Sequence, residues 1–217
     1  MKKTIFNTKY IWLFVILIGL SACNDPEDIL RDHNIDPTTG EELPELTSGT
    51  ADFSNYVALG ASFTAGYTDG AVFIASQENS FPNIIAKEFA KIGSTSFTQP
   101  LVSDNFGGLA IAGTRIANPR LVFGGAGPIS LESILGPVTV STDIALNNPT
   151  GPFNNLGVPG AKSFHLLSDS YGNIAGVGSF ANPYFVRMAS SPTATVLGDA
   201  AAQAPTFFSL WIGNNDI

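Results

Sequence analysis

Ser62 stands in the stretch YVALGASFTAGYTDG, two residues after a short apolar run stops at Gly60, with Ala61, Ala65 and Gly66 close by. A serine among small residues at the end of such a run is either a turn residue or a nucleophile displayed at the tip of a buried strand. The second reading needs more than the hydroxyl. A serine at its free pKa is a weak nucleophile and works only beside a histidine that a carboxylate orients. The negative charge that develops on the attacked carbonyl oxygen also needs fixed hydrogen-bond donors. Two other apolar runs also end in turns of small or amide residues: Gly157-Val158-Pro159-Gly160, and Gly213-Asn214-Asn215-Asp216. Histidine is scarce, with only His33 and His165 in the chain.

The elements that would carry these residues read as an α/β fold. Residues 55–60 form a short apolar, β-branched run, as expected for a buried parallel strand. Residues 80–93 predict a helix capped by Ser80, with Pro82 in its first turn, Gly93 at its end, and Ile84, Ile85, Phe89 and Ile92 on its apolar face. Residues 153–157 read as a strand fragment followed by a glycine-bearing turn, with a helix expected from about Ala161. A further short helix is expected over 194–203, and 206–212 read as a fully buried strand ending in a polar turn. Residues 94–152 are rich in glycine and proline and too long for a structureless loop, so they predict an insertion with its own hairpins, packed over one sheet edge. Strands near 120–123 and 137–141 are expected within it. Right-handed crossovers place the carboxyl ends of parallel strands on one sheet edge, and an order of 2-1-3 would bring all three turns to one crevice.

In this order the three blocks resemble the SGNH, or GDSL, hydrolases. Gly60-Ala61-Ser62 followed by Thr64-Ala65-Gly66-Tyr67 is similar to the nucleophile block, Asn155 with Gly160 five residues on to the second, and Gly213-Asn214-Asn215-Asp216 to the third. The resemblance implies a three-layer, flavodoxin-like fold, with Ser62 as nucleophile and the Ser62 and Gly160 N–H groups plus the Asn215 amide as the oxyanion hole. It implies a serine esterase or lipase acting on carboxylic esters, of a lipid or an acetylated glycan, through an acyl-enzyme with no metal or cofactor. Two departures stand out. Ala61 occupies the place of the family's usual aspartate, and neither His33 nor His165 lies three residues after an aspartate, since Leu30 and Lys162 stand there. The family's Asp-x-x-His is therefore expected beyond Ile217, making residues 53–217 the N-terminal portion of the hydrolase domain. On this expectation the 217 residues alone hydrolyse no ester and tend to aggregate. A non-catalytic surface lipoprotein that binds a glycan or lipid is the alternative.

The first 52 residues point to the cell envelope. Lys2, Lys3 and Lys9 precede an apolar stretch over 11–22, too short for a bilayer core of roughly 30 Å, and small residues follow it, as in a secretory signal peptide. LSAC resembles the bacterial lipobox, so residues 1–22 would be removed and Cys23, the sole cysteine, acylated as a membrane anchor. Asn24 in the next position points to the outer membrane under the enterobacterial sorting rule. Residues 24–50 hold eight acidic side chains against Arg31, with Pro26, Pro37 and Pro44, and read with Cys23 as an acidic tether over 23–52. A net charge of −8 argues against nucleic acid as a partner. GVGSFA at 176–181 fits a dinucleotide pattern, but Pro183 follows before any clear helix, so no dinucleotide is expected.

Overall fold

β1 (Tyr56–Gly60) is buried along its whole length. Its period of two explains this: Tyr56 and Ala58 point to one face, Val57 and Leu59 to the other, and both faces are covered. The computed structural model describes residues 45–94 and 96–217, of which Thr47–Ile217 form one compact unit. Cys23, the signal peptide, His33 and most of the acidic tether lie outside the described residues.

The main sheet has three parallel strands in the order β6-β1-β7, with β6 at Asn155–Gly157 and β7 at Phe207–Trp211. The class is therefore α/β with a parallel sheet, the first strand lying between the other two. Gly60 pairs with Gly157 on one side and Trp211 on the other, so the three carboxyl ends are level.

Short helices lead away from β1: α1 (Ser62–Ala65), α2 (Ile74–Glu78) and α3 (Phe81–Ala90). α3 covers the Tyr56/Ala58 face through Ile85, Ala86 and Phe89. Two expectations about it need correction. Ser80 occupies the cap position, but its hydroxyl donates to the Gln77 carbonyl (2.8 Å) and caps nothing. Ile84 is half exposed, because Pro82 and Ala86 take the buried positions. The opposite face of β1 is covered by Phe185 of α5 (Pro183–Val186) and by Val196 and Ala200 of α6 (Val196–Ala201), whose first turn Thr195 caps.

Between α3 and β6 lie two antiparallel hairpins, β2–β3 (Leu109–Ile111, Thr114–Ala117) and β4–β5 (Leu121–Phe123, Pro128–Ser130), and then α4 (Glu132–Leu135). Thr98, ahead of them, runs along the outer edge of β6, its carbonyl accepting the Asn154 and Asn155 N–H groups at 2.9 and 3.2 Å. The strand expected near 137–141 does not form. The backbone of Val138 is engaged by side chains instead: its N–H donates to Glu132 (2.9 Å) and its carbonyl accepts from Arg115 (2.8 Å). Arg115 and Glu132 also pair bidentately at 2.9 and 2.7 Å.

Two more expectations yield to the structure. The helix foreseen from Ala161 is a 3-10 turn, Ser163–Leu167, tightened because the His165 ring accepts the Lys162 N–H (3.0 Å). β7 is not fully buried. β1 is its only strand neighbour among the described residues, and Phe208 and Trp211 are 61% and 54% exposed.

Candidate active site at the carboxyl edge of the sheet

The first turn is built by close approach. A Cβ on Gly60 would overlap the Thr64 side chain and the Trp211 carbonyl oxygen, so only glycine fits between strand and helix. The Ala61 N–H continues the ladder to the Trp211 carbonyl at 3.0 Å. Its methyl group is 1% exposed and sits in the apolar cluster with Val158 and Ala161, which leaves an ionised carboxylate no polar setting there. Ser62 then opens α1, half-buried, its carbonyl accepting the Tyr67 N–H at 2.9 Å. No described residue hydrogen-bonds its hydroxyl or its N–H.

α1 is clamped from below. Fully buried Thr64 donates its hydroxyl to the Leu59 carbonyl (3.4 Å), and its own carbonyl accepts the side-chain amide of Asn155 (2.9 Å). The Asn155 oxygen accepts the Gly157 N–H at 3.0 Å, so this buried amide ties α1 to β6. A Cβ on Gly157 would fall onto the backbone of Thr64 and Ala65.

The second turn is Val158–Pro159–Gly160–Ala161. The Ala161 N–H returns to the Val158 carbonyl (3.0 Å), and Gly160 has φ +78°, which with proline before it makes a type II turn. Open space surrounds the Gly160 Cα, and no described residue takes its N–H. Gly160 borders a cleft of about 500 Å³ that Phe164, His165, Tyr171, Phe180 and Asn182 also line. No Asp, Glu, Lys or Arg stands in that lining.

The third turn closes through the Asp216 N–H, which donates to the Gly213 carbonyl at 3.0 Å. One hydrogen of the Asn215 amide goes to the Ala161 carbonyl (2.9 Å), beside Gly160, and the other has no described partner. The structure thus stitches the three turns pairwise: Val158 to Gly60 (2.9 Å), Ala61 to Trp211, and Asn215 to Ala161. Ser62, Gly160 and Asn215 all stand in these joined turns, at one edge of one sheet.

No family model, no curated protein and no solved structure matches the chain.

What these turns can do chemically therefore follows from their geometry and residue types. Asp216 braces the site: its carboxylate accepts the N–H of Ser163 (2.8 Å) and also the Ser163 hydroxyl. Those two donors, helped by the positive charges of Lys162 and His165, hold its pKa below the ordinary 3.8. A depressed carboxylate pKa means that the contact stabilises the fold above the unfolded value near 3.9 and is lost as pH falls through the lower folded value. The Ser163 amide proton is thus expected to titrate with a midpoint below 3.8 by NMR, and Asp216→Asn to flatten that titration. A wild-type midpoint at or above 3.8 would contradict the brace.

His165 has a different job. Its ring lies flat on Tyr171 (4.4 Å between centroids, 12° between planes), and burial and the charge on Lys162 lower its pKa. No hydrogen bond joins it to Ser62. Among the described residues no cluster of His, Cys, Asp and Glu could hold a metal ion, and no helix is long and apolar enough to cross a membrane. The role of the Asn155 amide is not legible in the sequence, where asparagine in a strand end looks like turn chemistry; nothing local signals that its partner is a carbonyl 91 residues away.

Proposed function

We propose that this chain carries the nucleophile and oxyanion donors of a serine ester hydrolase of the SGNH type, on a flavodoxin-like fold, in an exported lipoprotein anchored through Cys23. The observation that carries the reading is the level register of Gly60, Gly157 and Trp211, which gathers Ser62, Gly160 and Asn215 at one edge. The unengaged hydroxyl of Ser62 would attack the ester carbonyl carbon. As the C–O bond forms, the carbonyl oxygen would take the N–H groups of Ser62 and Gly160 and the second amide hydrogen of Asn215. Collapse of that intermediate would expel the alcohol and leave an acyl-serine, which water then hydrolyses. The uncharged cleft beside Gly160 suits a neutral ester of a lipid or an acetylated glycan. The chemistry needs a histidine at Ser62 to take and return the proton. His165 does not meet that requirement, so the proposal assigns the nucleophile and the donors to this chain and the base to none of its described residues.

A fluorophosphonate probe tests the reading, because it phosphonylates only a serine that a base activates. The protein expressed from its whole gene is expected to carry one adduct, located on Ser62 by peptide mass spectrometry. Ala61 in place of a carboxylate, and the lack of a described histidine against Ser62, favour a second reading, a binder of glycan or lipid on the same fold. Absence of any adduct on Ser62 would refute the hydrolase reading and favour that one instead.

A further inference from the structure

The Gly160 N–H is useful to an oxyanion only if it points the right way, and the turn that holds it has two ways to point. A four-residue turn with proline in its second position forms as type I or type II, and the two differ by a half-rotation of the central peptide. Glycine in the third position tolerates both, since it adopts φ near −90° or near +80°. The Val158–Ala161 hydrogen bond closes either form. Glycine after proline already leans to type II, in which Gly160 has φ +78°, and one side chain from outside the turn holds it there.

That side chain belongs to Asn182. Its side-chain nitrogen donates to the Pro159 carbonyl at 2.9 Å, across 23 residues of sequence. The carbonyl and the following N–H belong to one planar trans peptide and point in opposite directions. Holding the Pro159 oxygen toward Asn182 therefore turns the Gly160 N–H away from it. Asn182 is itself locked. Its side-chain oxygen accepts the Tyr184 N–H (2.9 Å) as the cap of α5, which forces the nitrogen to the other side. The second amide hydrogen goes to the Tyr171 hydroxyl (3.0 Å), and the Asn182 N–H to the Tyr171 carbonyl (2.9 Å). Tyr171 is buried beneath the His165 ring and cannot give way.

We propose that Asn182 is a positioning residue, which fixes the Pro159–Gly160 peptide in the orientation that aims the Gly160 N–H at the oxyanion. This rests on the assignment of Gly160 to the oxyanion hole. Asn182→Asp keeps the capping oxygen but replaces the donor with a second oxygen that repels the Pro159 carbonyl. In the whole-gene protein it is expected to lower kcat by about 10- to 100-fold, in line with a misplaced rather than a missing donor, with KM within about threefold. Fluorophosphonate labelling should still reach one adduct per chain, only more slowly, whereas a merely unfolded fraction would cut the stoichiometry. A second readout needs no catalysis: the Gly160 amide-to-Hα couplings, read by NMR on glycine-labelled protein, should change as φ leaves the left-handed region. Unchanged couplings with kcat within twofold of wild type overturn the proposal. Altered couplings in a protein whose Ser62→Ala variant keeps full activity would uphold the clamp and refute the hydrolase site instead. Should the aspartate variant fail to fold, Asn182→Ser keeps a good cap without the donor, and the same couplings and rates in it uphold or overturn the clamp.

Discussion

Replacing Ser62 with alanine is expected to reduce ester hydrolysis by about 10⁴-fold or more in protein expressed from the whole gene, the scale on which a serine nucleophile fails. The prediction is sharp because the hydroxyl has no structural duty. It is half-buried, and no described residue hydrogen-bonds it, so its loss should change stability by no more than about 0.5 kcal/mol. Fold and activity should therefore separate cleanly, with wild-type thermal unfolding beside lost turnover of a p-nitrophenyl ester. Asn215→Ala belongs to the same experiment and should cost about 100- to 1000-fold, the effect of one oxyanion donor. It also removes the bond to the Ala161 carbonyl, so a further loss of about 1 kcal/mol in stability is expected there and not at Ser62. Turnover by Ser62→Ala within tenfold of wild type would falsify the nucleophile assignment.

The second large effect falls on folding. Gly157→Val is expected to destabilise the protein by about 3 kcal/mol or more. The Cβ alone would land on the backbone of Thr64 and Ala65, which no rotamer change relieves. Nor can α1 retreat, since Thr64 is tied to the Leu59 carbonyl and to the Asn155 amide. Overpacking in a rigid core costs about 1–3 kcal/mol and more where backbone must move, a large share of a domain's roughly 5–15 kcal/mol. Gly160→Ala is the matching control. It meets no atom within 4 Å, so only its positive φ is strained, at about 1–2 kcal/mol. Circular dichroism and a urea titration of both variants read the contrast. A Gly157→Val protein with a wild-type urea midpoint would show that strand and helix are not packed as described.

Legibility followed the range of the interaction. β1, the Gly160 turn and α6 were readable because apolar runs, turn glycines and a short helix-forming stretch are local signals. The order β6-β1-β7 is the 2-1-3 arrangement that brings the three turns to one crevice; parallel strands put their carboxyl ends on one edge, but the handedness of crossovers alone does not choose that order. β7 misled because an apolar run is silent about how many neighbours it finds. The strand expected near 137–141 failed for a related reason: Glu132 and Arg115 compete for the backbone of Val138, and side-chain rivals to a ladder leave no periodic trace. Asn155 and Asn182 were illegible as clamps. Each looks like turn chemistry in its own stretch, and its meaning lies in a distant carbonyl.

The way the sheet sets its three ends flush has a consequence for how the site can vary. A strand cannot slide past its neighbour by a small amount, because one residue of slip turns every side chain to the wrong face, and two residues move it by about 6.6 Å. The spacing between the polar turns is thus quantised, either as seen or far out of reach. On the proposed reading, fine adjustment to different substrates would fall to the walls of the cleft, such as Phe164 and Phe180, which can be exchanged without touching the frame that spaces Ser62, Gly160 and Asn215.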